Sequence, residues 1–161
     1  MEPLRIYRVS DKYVSFLHSR DYRVQHNKHS SRPYVGIVLV VGEFKYFVPM
    51  ESPKPNHQKI KSGVHILKMD KGRLGILGFN NMIPVKDDAL ISFDISNEPD
   101  SQYAELLRKQ VSFCNRNKTE ILNKAARTYY AVVNNENKFL VNICCDFKKL
   151  EKACKQFDIN R

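Results

Sequence analysis

Several motifs that define common enzyme families are missing from this sequence. Its 6 glycines form no glycine-rich phosphate loop and no dinucleotide-binding fingerprint, and neither HExxH nor GxSxG occurs. The enzyme families recognised by those motifs are therefore not supported, and no cofactor is expected.

Cysteine is scarce, and its residues lie far from every histidine in the chain. Cys114, Cys144, Cys145 and Cys154 have no CxxC spacing, and all 5 histidines lie at or before His65. A structural zinc site needs such ligands at short, regular spacing. We therefore expect reduced structural thiols and no metal site.

Long apolar runs are also lacking. The longest, at residues 35–41, is interrupted by Gly36 and is far shorter than the roughly 20 residues that span a bilayer. The first ten residues, MEPLRIYRVS, lack the pattern of a signal peptide. The expected location is the cytoplasm.

Positive charge is abundant and unevenly distributed. The chain has 27 Lys and Arg against 17 Asp and Glu, a net charge of +10. Residues 1–80 hold 14 of the basic and 6 of the acidic residues, so the excess lies in the first half. Such a balance indicates an anionic partner, either nucleic acid or a membrane surface.

The order of the predicted elements indicates the fold class. At 161 residues we expect a single domain, residues 1–161. The predicted strands cover residues 4–9, 34–41, 44–48, 64–69, 74–79, 82–85 and 89–95, and residues 138–145 are a possible last strand. Helices are predicted to begin after Ser10, at Pro99, at residue 118 or 119, and after Asp146. This order is typical of an α+β domain in which about four helices cover a strongly twisted antiparallel sheet or small barrel.

The two central strands form a predicted hairpin that leads into a stiff, proline-rich loop. Gly42-Glu43 suits a two-residue turn with glycine first. Three prolines follow within residues 49–57, which predicts a loop or extended arm rather than a continued strand. Ser52 and Lys54 each precede a proline and are therefore held extended. They are either an exposed serine and a solubilising lysine, or a hydroxyl and an amine placed to act on a phosphate.

A polar, basic segment at residues 18–32 precedes this hairpin. It is either a solvated loop or a basic arm that orders on a polyanion. Among its histidines, His26 and His29 are candidates for acid–base chemistry in RNA cleavage, although the pattern favours polar surface residues at both positions. His57, which follows the proline loop, is a further candidate for which that alternative is not favoured. His18 and His65 fit ordinary helix-end and strand positions, and Asp87-Asp88 fits a turn.

The sequence resembles the ToxN/AbiQ toxins of type III toxin–antitoxin systems, to which the CptN toxins also belong. The resemblance rests on an ordered set of short motifs covering nearly the whole chain. They are residues 33–39 (PYVGIVL), residues 45–49 (KYFVP) leading into Ser52-Pro53-Lys54, then His57, and residues 81–85 (NMIPV).

This resemblance implies a partial SH3-like barrel wrapped by helices and a metal-independent endoribonuclease. It also implies that a small repeat-derived RNA pseudoknot is processed by the toxin, inhibits it, and assembles with it into a closed ring of alternating protein and RNA. Release of the toxin would slow growth and abort phage infection. Cellular RNA would be the substrate.

The resemblance also assigns roles to residues. Ser52, Lys54 and Arg32 match the expected catalytic positions, and the expected RNA contacts are Tyr34, Glu51, His57, Lys59, Lys61, His29, Lys28 and Asn81. Many members have threonine where this chain has Glu51. This carboxylate is expected to lie beside Lys54 and to favour its charged form.

The expected mechanism is attack by the 2′-hydroxyl of RNA on the adjacent phosphorus, which leaves a 2′,3′-cyclic phosphate and a 5′-hydroxyl. Lys54 and Arg32 would stabilise the phosphorane, and Ser52 would orient the phosphate or relay a proton. The alternative is a non-catalytic domain that holds single-stranded RNA, with Tyr34 stacking on a base. A metal-dependent hydrolase is a third, weaker hypothesis.

Overall fold

A computed structural model describes residues 2–160, which form seven β-strands and five α-helices joined by 3-10 turns. The strands are β1 Arg5–Val9, β2 Tyr34–Val41, β3 Phe44–Glu51, β4 Ile66–Lys68, β5 Ile76–Gly78, β6 Ile83–Pro84 and β7 Leu90–Ile91. The helices are α1 Asp11–Arg20, α2 Ser101–Arg116, α3 Lys118–Val133, α4 Lys138–Ile143 and α5 Phe147–Gln156.

All seven strands join one antiparallel sheet. Its order is β4-β5-β3-β2-β1-β7, and the short β6 also pairs with β3. The β2–β3 hairpin therefore occupies the centre, with the other strands added on both sides. The predicted α+β class, a twisted antiparallel sheet wrapped by helices, is confirmed.

The hairpin turn has the geometry that its sequence predicts. Gly42 has a φ of +58°, while Glu43 is not among the residues with positive φ. A positive φ at the first central position alone is the pattern of a type II′ turn, whose twist matches that of the flanking strands. Glycine adopts this conformation without steric cost.

Strand β3 is longer than the sequence predicted, because it continues through Pro49 to Glu51. Pro49 pairs with Tyr34, and the N–H of Met50 donates to the carbonyl of Pro33 at 3.0 Å. Successive N–H groups point to opposite sides of a strand, so the nitrogen of Pro49 faces away from β2. There it falls in the gap between the residues paired with β6 and those paired with β5. A missing donor is tolerated at that point, and the prediction that the loop begins at Pro49 was wrong.

Two of the helices begin after the predicted caps, but the possible last strand is a helix. Ser10 and Asp146 each accept a hydrogen bond from a backbone N–H in the first turn, and Asp100 caps α2 in the same way, although that helix was predicted to begin at Pro99. Residues 138–145 were predicted as a strand, whereas Lys138–Ile143 forms α4. The Asn137 side chain accepts a hydrogen bond from the N–H of Leu140 and caps the first turn, which favours a helix over a strand.

Helix α5 is fixed to the sheet by a buried carboxylate. The hydroxyls of Tyr46 on β3 and Tyr129 on α3 both donate to Glu151 Oε2, each at 2.7 Å. Burial and this carboxylate raise the pKa of Tyr129 to about 12, so the phenol stays a donor. The network therefore joins two helices to the centre of the hairpin.

The four cysteines are buried and unpaired, as expected for structural thiols. Burial raises the pKa of Cys114 and of Cys144 to about 12, which disfavours the reactive thiolate. Within residues 2–160, no helix has the length and apolar character needed to cross a membrane.

Candidate active site

A cleft opens where β2 begins and β3 ends. Its volume is about 340 Å³. The residues that line it, here called the cationic cleft, are Arg8, Lys28, Ser31, Arg32, Pro33, Met50, Ser52, Glu98 and Tyr103. The hairpin register thus brings Arg32, just before β2, to the same cleft as Ser52, just after β3.

Arg32 is the most unusual charge in the cleft. Its side chain is buried, with 8% of the residue exposed, yet no carboxylate in the described part of the chain forms a salt bridge with it. Its Nε donates to the carbonyl of His26 at 2.9 Å, which orients the guanidinium. A buried charge is costly unless something compensates it, so this position is suited to an anionic ligand.

Lys28 reaches the cleft through a strained turn. Lys28, His29 and Ser30 have φ values of 50°, 56° and 66°, three consecutive left-handed residues. Each costs about 1–2 kcal/mol relative to right-handed backbone. Hydrogen bonds of 3.1 Å from the Ser31 N–H and 2.6 Å from its Oγ to the Lys28 carbonyl hold the turn closed. This turn reverses the chain immediately before Arg32.

Three cleft residues were missed by sequence analysis, namely Arg8 on β1, Glu98 before α2 and Tyr103 on α2. Burial raises the pKa of Tyr103, and the charge of Glu98 adds to the effect while that of Arg8 opposes it. Tyr103 therefore presents a neutral hydroxyl at neutral pH. Nothing local in the sequence marks these residues, because strand pairing and helix packing bring them to the hairpin.

The proline loop places Ser52 and Lys54 differently. Both are exposed, but Ser52 lines the cationic cleft and Lys54 does not. Lys54 has φ −133° and ψ 153°, the predicted extended geometry, and directly precedes a 3-10 turn at Pro55–Gln58. The structure therefore brings Ser52 and Arg32 together and leaves Lys54 two residues along the same stiff loop.

His57 holds this loop in place from below the surface. Its residue is 1% exposed, and its Nδ1 accepts the N–H of Lys54 at 3.2 Å. A neutral ring that accepts at Nδ1 carries its proton on Nε2, and Nε2 lies 3.2 Å from a carboxylate oxygen of Glu51. Buried in this way, His57 does not offer RNA a surface, so its expected role as an RNA contact is corrected to one of positioning.

The Glu51 carboxylate is therefore directed at His57. No salt bridge joins it to Lys54 within residues 2–160, contrary to the expectation that it would act on that lysine. The carboxylate is instead a partner for the His57 imidazole.

Glycines pack closely against the opposite side of the loop. A Cβ at Gly75, where φ is +102°, would lie 2.0 Å from the carbonyl oxygen of Glu51. A Cβ at Gly72 would lie 3.1 Å from the carbonyl of His57. The backbone at Gly75 thus approaches the end of β3 more closely than any other residue type permits.

One further expected RNA contact is contradicted. Tyr34 is 0% exposed and belongs to the core, so no base can stack on it. The half-buried Asn81 amide donates to the Arg23 carbonyl at 2.8 Å and accepts from Gln25 at 3.0 Å, and its role as an RNA contact stays a prediction. The other expected contacts, Lys28, His29, Lys59 and Lys61, are exposed.

The donor set does not resemble a metal centre. Within residues 2–160, no group of three or more His, Cys, Asp and Glu side chains is arranged to hold a metal ion. In the cationic cleft, three basic residues surround the single acid Glu98. This excess of positive charge favours phosphate over a divalent cation.

The sequence of this chain matches a known protein family and its curated members. Residues 5–155 match the family model described as toxin ToxN, type III toxin–antitoxin system. The chain is 33% identical to the endoribonuclease ToxN of Bacillus thuringiensis subsp. kurstaki, over 95% of this chain and 84% of that protein.

Solved structures show the same fold. A toxin of a bacterial type III system, selectively inhibited by a non-coding RNA pseudoknot, superimposes with a TM-score of 0.86 at 32% identity, covering 96% of this chain and 98% of the other. AbiQ, a lactococcal anti-phage endoribonuclease of a type III system, gives a TM-score of 0.87 at 26% identity, with coverage of 96% and 98%.

The α+β fold of this chain is thus shared with endoribonuclease toxins of type III systems. This chain belongs to the ToxN family of type III toxin–antitoxin systems. The family predicted from the short sequence motifs is confirmed, and the names of the relatives agree with the predicted enzyme class.

Proposed function

We propose that this chain is a metal-independent endoribonuclease toxin that acts in the cytoplasm as one domain of residues 1–161. The substrate class is cellular RNA. The observation that carries the proposal is the buried Arg32, which shares a cleft with Ser52 and forms no salt bridge with a carboxylate of residues 2–160. An RNA phosphate in the cleft would supply the missing negative charge.

In the proposed reaction, a 2′-hydroxyl oxygen of RNA bonds to the adjacent phosphorus and the bond to the 5′-oxygen breaks. The proton lost by the 2′-hydroxyl is balanced by the one gained at the 5′-oxygen. The products are a 2′,3′-cyclic phosphate and a 5′-hydroxyl, with no water consumed in the cleavage step.

Three residues of this chain stabilise that reaction. Arg32 is oriented by its bond to the His26 carbonyl and donates to the non-bridging oxygens of the phosphorane. Lys54 supplies a second positive charge from the loop, and Ser52 donates to the phosphate or relays a proton. None of these steps needs a metal ion, since positive charge is already fixed around the phosphorus.

Exposed basic side chains extend the RNA track on both sides of the cleft. Lys28 and His29 lie on the strained turn, and Lys59 and Lys61 follow the proline loop. These groups would bind phosphates along the strand and make the affinity dependent on salt.

The partner proposed for inhibition is a small repeat-derived RNA that folds into a pseudoknot and occupies the cleft. The support is the related toxin whose inhibitor is a non-coding RNA pseudoknot. We propose further that the toxin processes this RNA and assembles with it into a closed ring of alternating protein and RNA. A role in abortive phage infection completes the proposal, since the lactococcal relative is an anti-phage enzyme. Short tandem repeats ahead of a terminator are expected in the DNA directly upstream, and their absence would argue against an RNA antitoxin.

Cleavage of a mixed-sequence RNA in EDTA tests the enzymatic proposal. The wild-type protein is expected to cleave, whereas Lys54→Ala should cleave about a hundredfold more slowly or worse while still binding the RNA. Lys152→Ala removes the same charge from an exposed position on α5 and should keep the wild-type rate.

The two rival functions give different results in the same assay. Loss of wild-type cleavage in EDTA would indicate a metal-dependent hydrolase. Binding by the wild-type protein without any cleavage would indicate a non-catalytic RNA-binding domain.

A further inference from the structure

A second cavity, of about 460 Å³, lies between α3, α4 and the segment that precedes β4. Its lining includes Val64, Arg127, Tyr130 and Leu140, and it shares no residue with the cationic cleft. Arg127 and Tyr130 are both exposed, so a ligand can reach these side chains from solvent. The volume falls within the roughly 300–1,000 Å³ range of ligand sites.

Two large aromatic side chains are exposed at this cavity. Tyr130, which lines it, is 46% exposed, and Phe139, next to the lining residue Leu140, is 60% exposed. Each ring is held by another ring. The centroids of Tyr130 and Tyr129 lie 5.0 Å apart, and those of Phe139 and His65 lie 5.8 Å apart. Exposed rings in a groove are the feature on which unpaired bases stack in proteins that bind single strands.

The exposed ring of Tyr22 differs from these two. Tyr22 is 78% exposed, but the guanidinium of Arg23 lies over its ring, 5.6 Å from the centroid. No lysine or arginine within residues 2–160 lies over the ring of Tyr130 or Phe139. The rings at the cavity are therefore free to meet a ligand, and Tyr22 provides a matched control.

Basic residues outnumber acidic ones at the cavity. Arg127 lines it, Lys124 lies about one helical turn earlier on α3, and Lys138 begins α4. Among the described residues, Glu136 is the only acid in the lining. Positive charge beside exposed aromatic rings suits a polyanion that carries flat rings, and single-stranded RNA has both properties.

The segment at residues 58–64 connects the proline loop to this cavity. Lys68 Nζ donates to the carbonyl of Ile60 at 3.1 Å, and Lys124 Nζ donates to the carbonyl of Gly63 at 2.7 Å. These two hydrogen bonds fix the segment to β4 and α3. Its two exposed lysines belong to the proposed RNA track, so the basic track leads from the proline loop to the cavity wall.

We infer that this cavity is a second contact site for the substrate RNA, in which an unpaired base stacks on Tyr130 and Arg127 binds a phosphate. Phe139 extends the stacking surface. The base belongs to the same strand whose scissile phosphate lies in the cationic cleft. The inference rests on the proposed RNA-cleaving function and adds to it a site that binds RNA outside the cleft.

Removal of the Tyr130 ring tests the stacking contact. Binding of an unstructured, mixed-sequence RNA of about 16 nucleotides is measured by fluorescence anisotropy with the full chain carrying Lys54→Ala, which suppresses cleavage. Adding Tyr130→Ala should weaken binding about tenfold, whereas Tyr130→Phe keeps the ring and should stay within about twofold. Tyr22→Ala removes the other exposed tyrosine and should leave binding unchanged.

Arg127 provides an independent variant on an exposed side chain. Arg127→Gln should weaken binding and reduce the slope of log affinity against log salt concentration by about 0.7, the value for one phosphate contact on a single strand. Lys152→Gln removes a charge from an exposed position on α5 and should change neither quantity.

Cleavage kinetics separate this site from the catalytic cleft. In the protein that retains Lys54, Tyr130→Ala should raise KM about tenfold and leave kcat unchanged, because the ring contributes binding that is the same in the ground state and the transition state.

RNA binding unchanged by Tyr130→Ala and Arg127→Gln would overturn the site and leave a protein segment as the occupant of the cavity. An equal loss in Tyr130→Phe would also overturn it, since that variant keeps the ring. Weaker RNA binding by Tyr130→Ala in a protein whose Lys54 form cleaves no RNA would instead overturn the proposed function and leave the site standing.

Discussion

His57 Nε2 lies 3.2 Å from a carboxylate oxygen of Glu51, and these two residues bracket Ser52 and Lys54 in the chain. The same imidazole accepts the N–H of Lys54 through Nδ1. One buried side chain therefore joins both ends of the proline loop. These hydrogen bonds fix the position of the extended residues Ser52 and Lys54 relative to β3.

His57→Leu should lower the RNA cleavage rate by about tenfold or more, because both hydrogen bonds are lost and the loop is no longer anchored. Loss of the partners of the Lys54 N–H and Glu51 should also reduce the free energy of unfolding by about 1–3 kcal/mol. Cleavage rates and urea unfolding measure the two effects. As a control, Glu51→Gln keeps an oxygen acceptor for the Nε2–H of His57 and should change the cleavage rate by less than about threefold. A folded His57→Leu protein that cleaves at the wild-type rate would contradict the anchoring role.

Gly75→Ala should reduce cleavage about tenfold or more, because its Cβ would lie 2.0 Å from the Glu51 carbonyl oxygen and push the loop away from the sheet. Gly42→Ala is the matched control, since φ is also positive there but no atom lies within 4 Å of the added Cβ. It should cost only about 1–2 kcal/mol of stability for the left-handed backbone and leave cleavage unchanged. Equal activity in the two folded variants would show that close packing at Gly75 does not position the loop.

His65 should make stability depend on pH. Burial, reinforced by the charge of Lys124, lowers the pKa of His65 from its ordinary 6.5. Below 6.5 the unfolded chain therefore binds more protons than the folded chain, so the free energy of unfolding rises with pH in this window. The contribution is fully present above pH 6.5 and is lost as pH falls through the folded pKa.

Urea unfolding at about pH 5 and about pH 7 measures this dependence. His65→Gln should show a smaller difference between the two pH values than the wild-type protein, since glutamine does not titrate. An unchanged or larger difference would show that His65 does not contribute.

Much of the scaffold could be predicted from the sequence, because local chemistry determines it. The Gly42-Glu43 turn, the caps at Ser10 and Asp146, and the extended geometry of Lys54 each depend on neighbouring residues. Segment 138–145 shows the limit of this reasoning. Its short apolar runs suit either a strand or a helix, and the Asn137 cap favours the helix.

The site was predictable only where the hairpin itself supplies it. Arg32 and Ser52 flank paired strands, and their meeting follows from the register. Arg8, Glu98 and Tyr103 come from elements far apart in sequence, so no local pattern reveals them. The errors at Tyr34 and His57 have a single cause, since a side chain's burial is set by the elements packed over it.

Cleavage of an RNA carrying a single 2′-deoxy sugar at the scissile position tests the proposed chemistry most directly. Without the 2′-hydroxyl there is no nucleophile, so cleavage at that bond should disappear while cleavage at other sites continues. The unmodified RNA should yield a 2′,3′-cyclic phosphate and a 5′-hydroxyl. Cleavage of the 2′-deoxy bond at the normal rate would contradict the proposed mechanism.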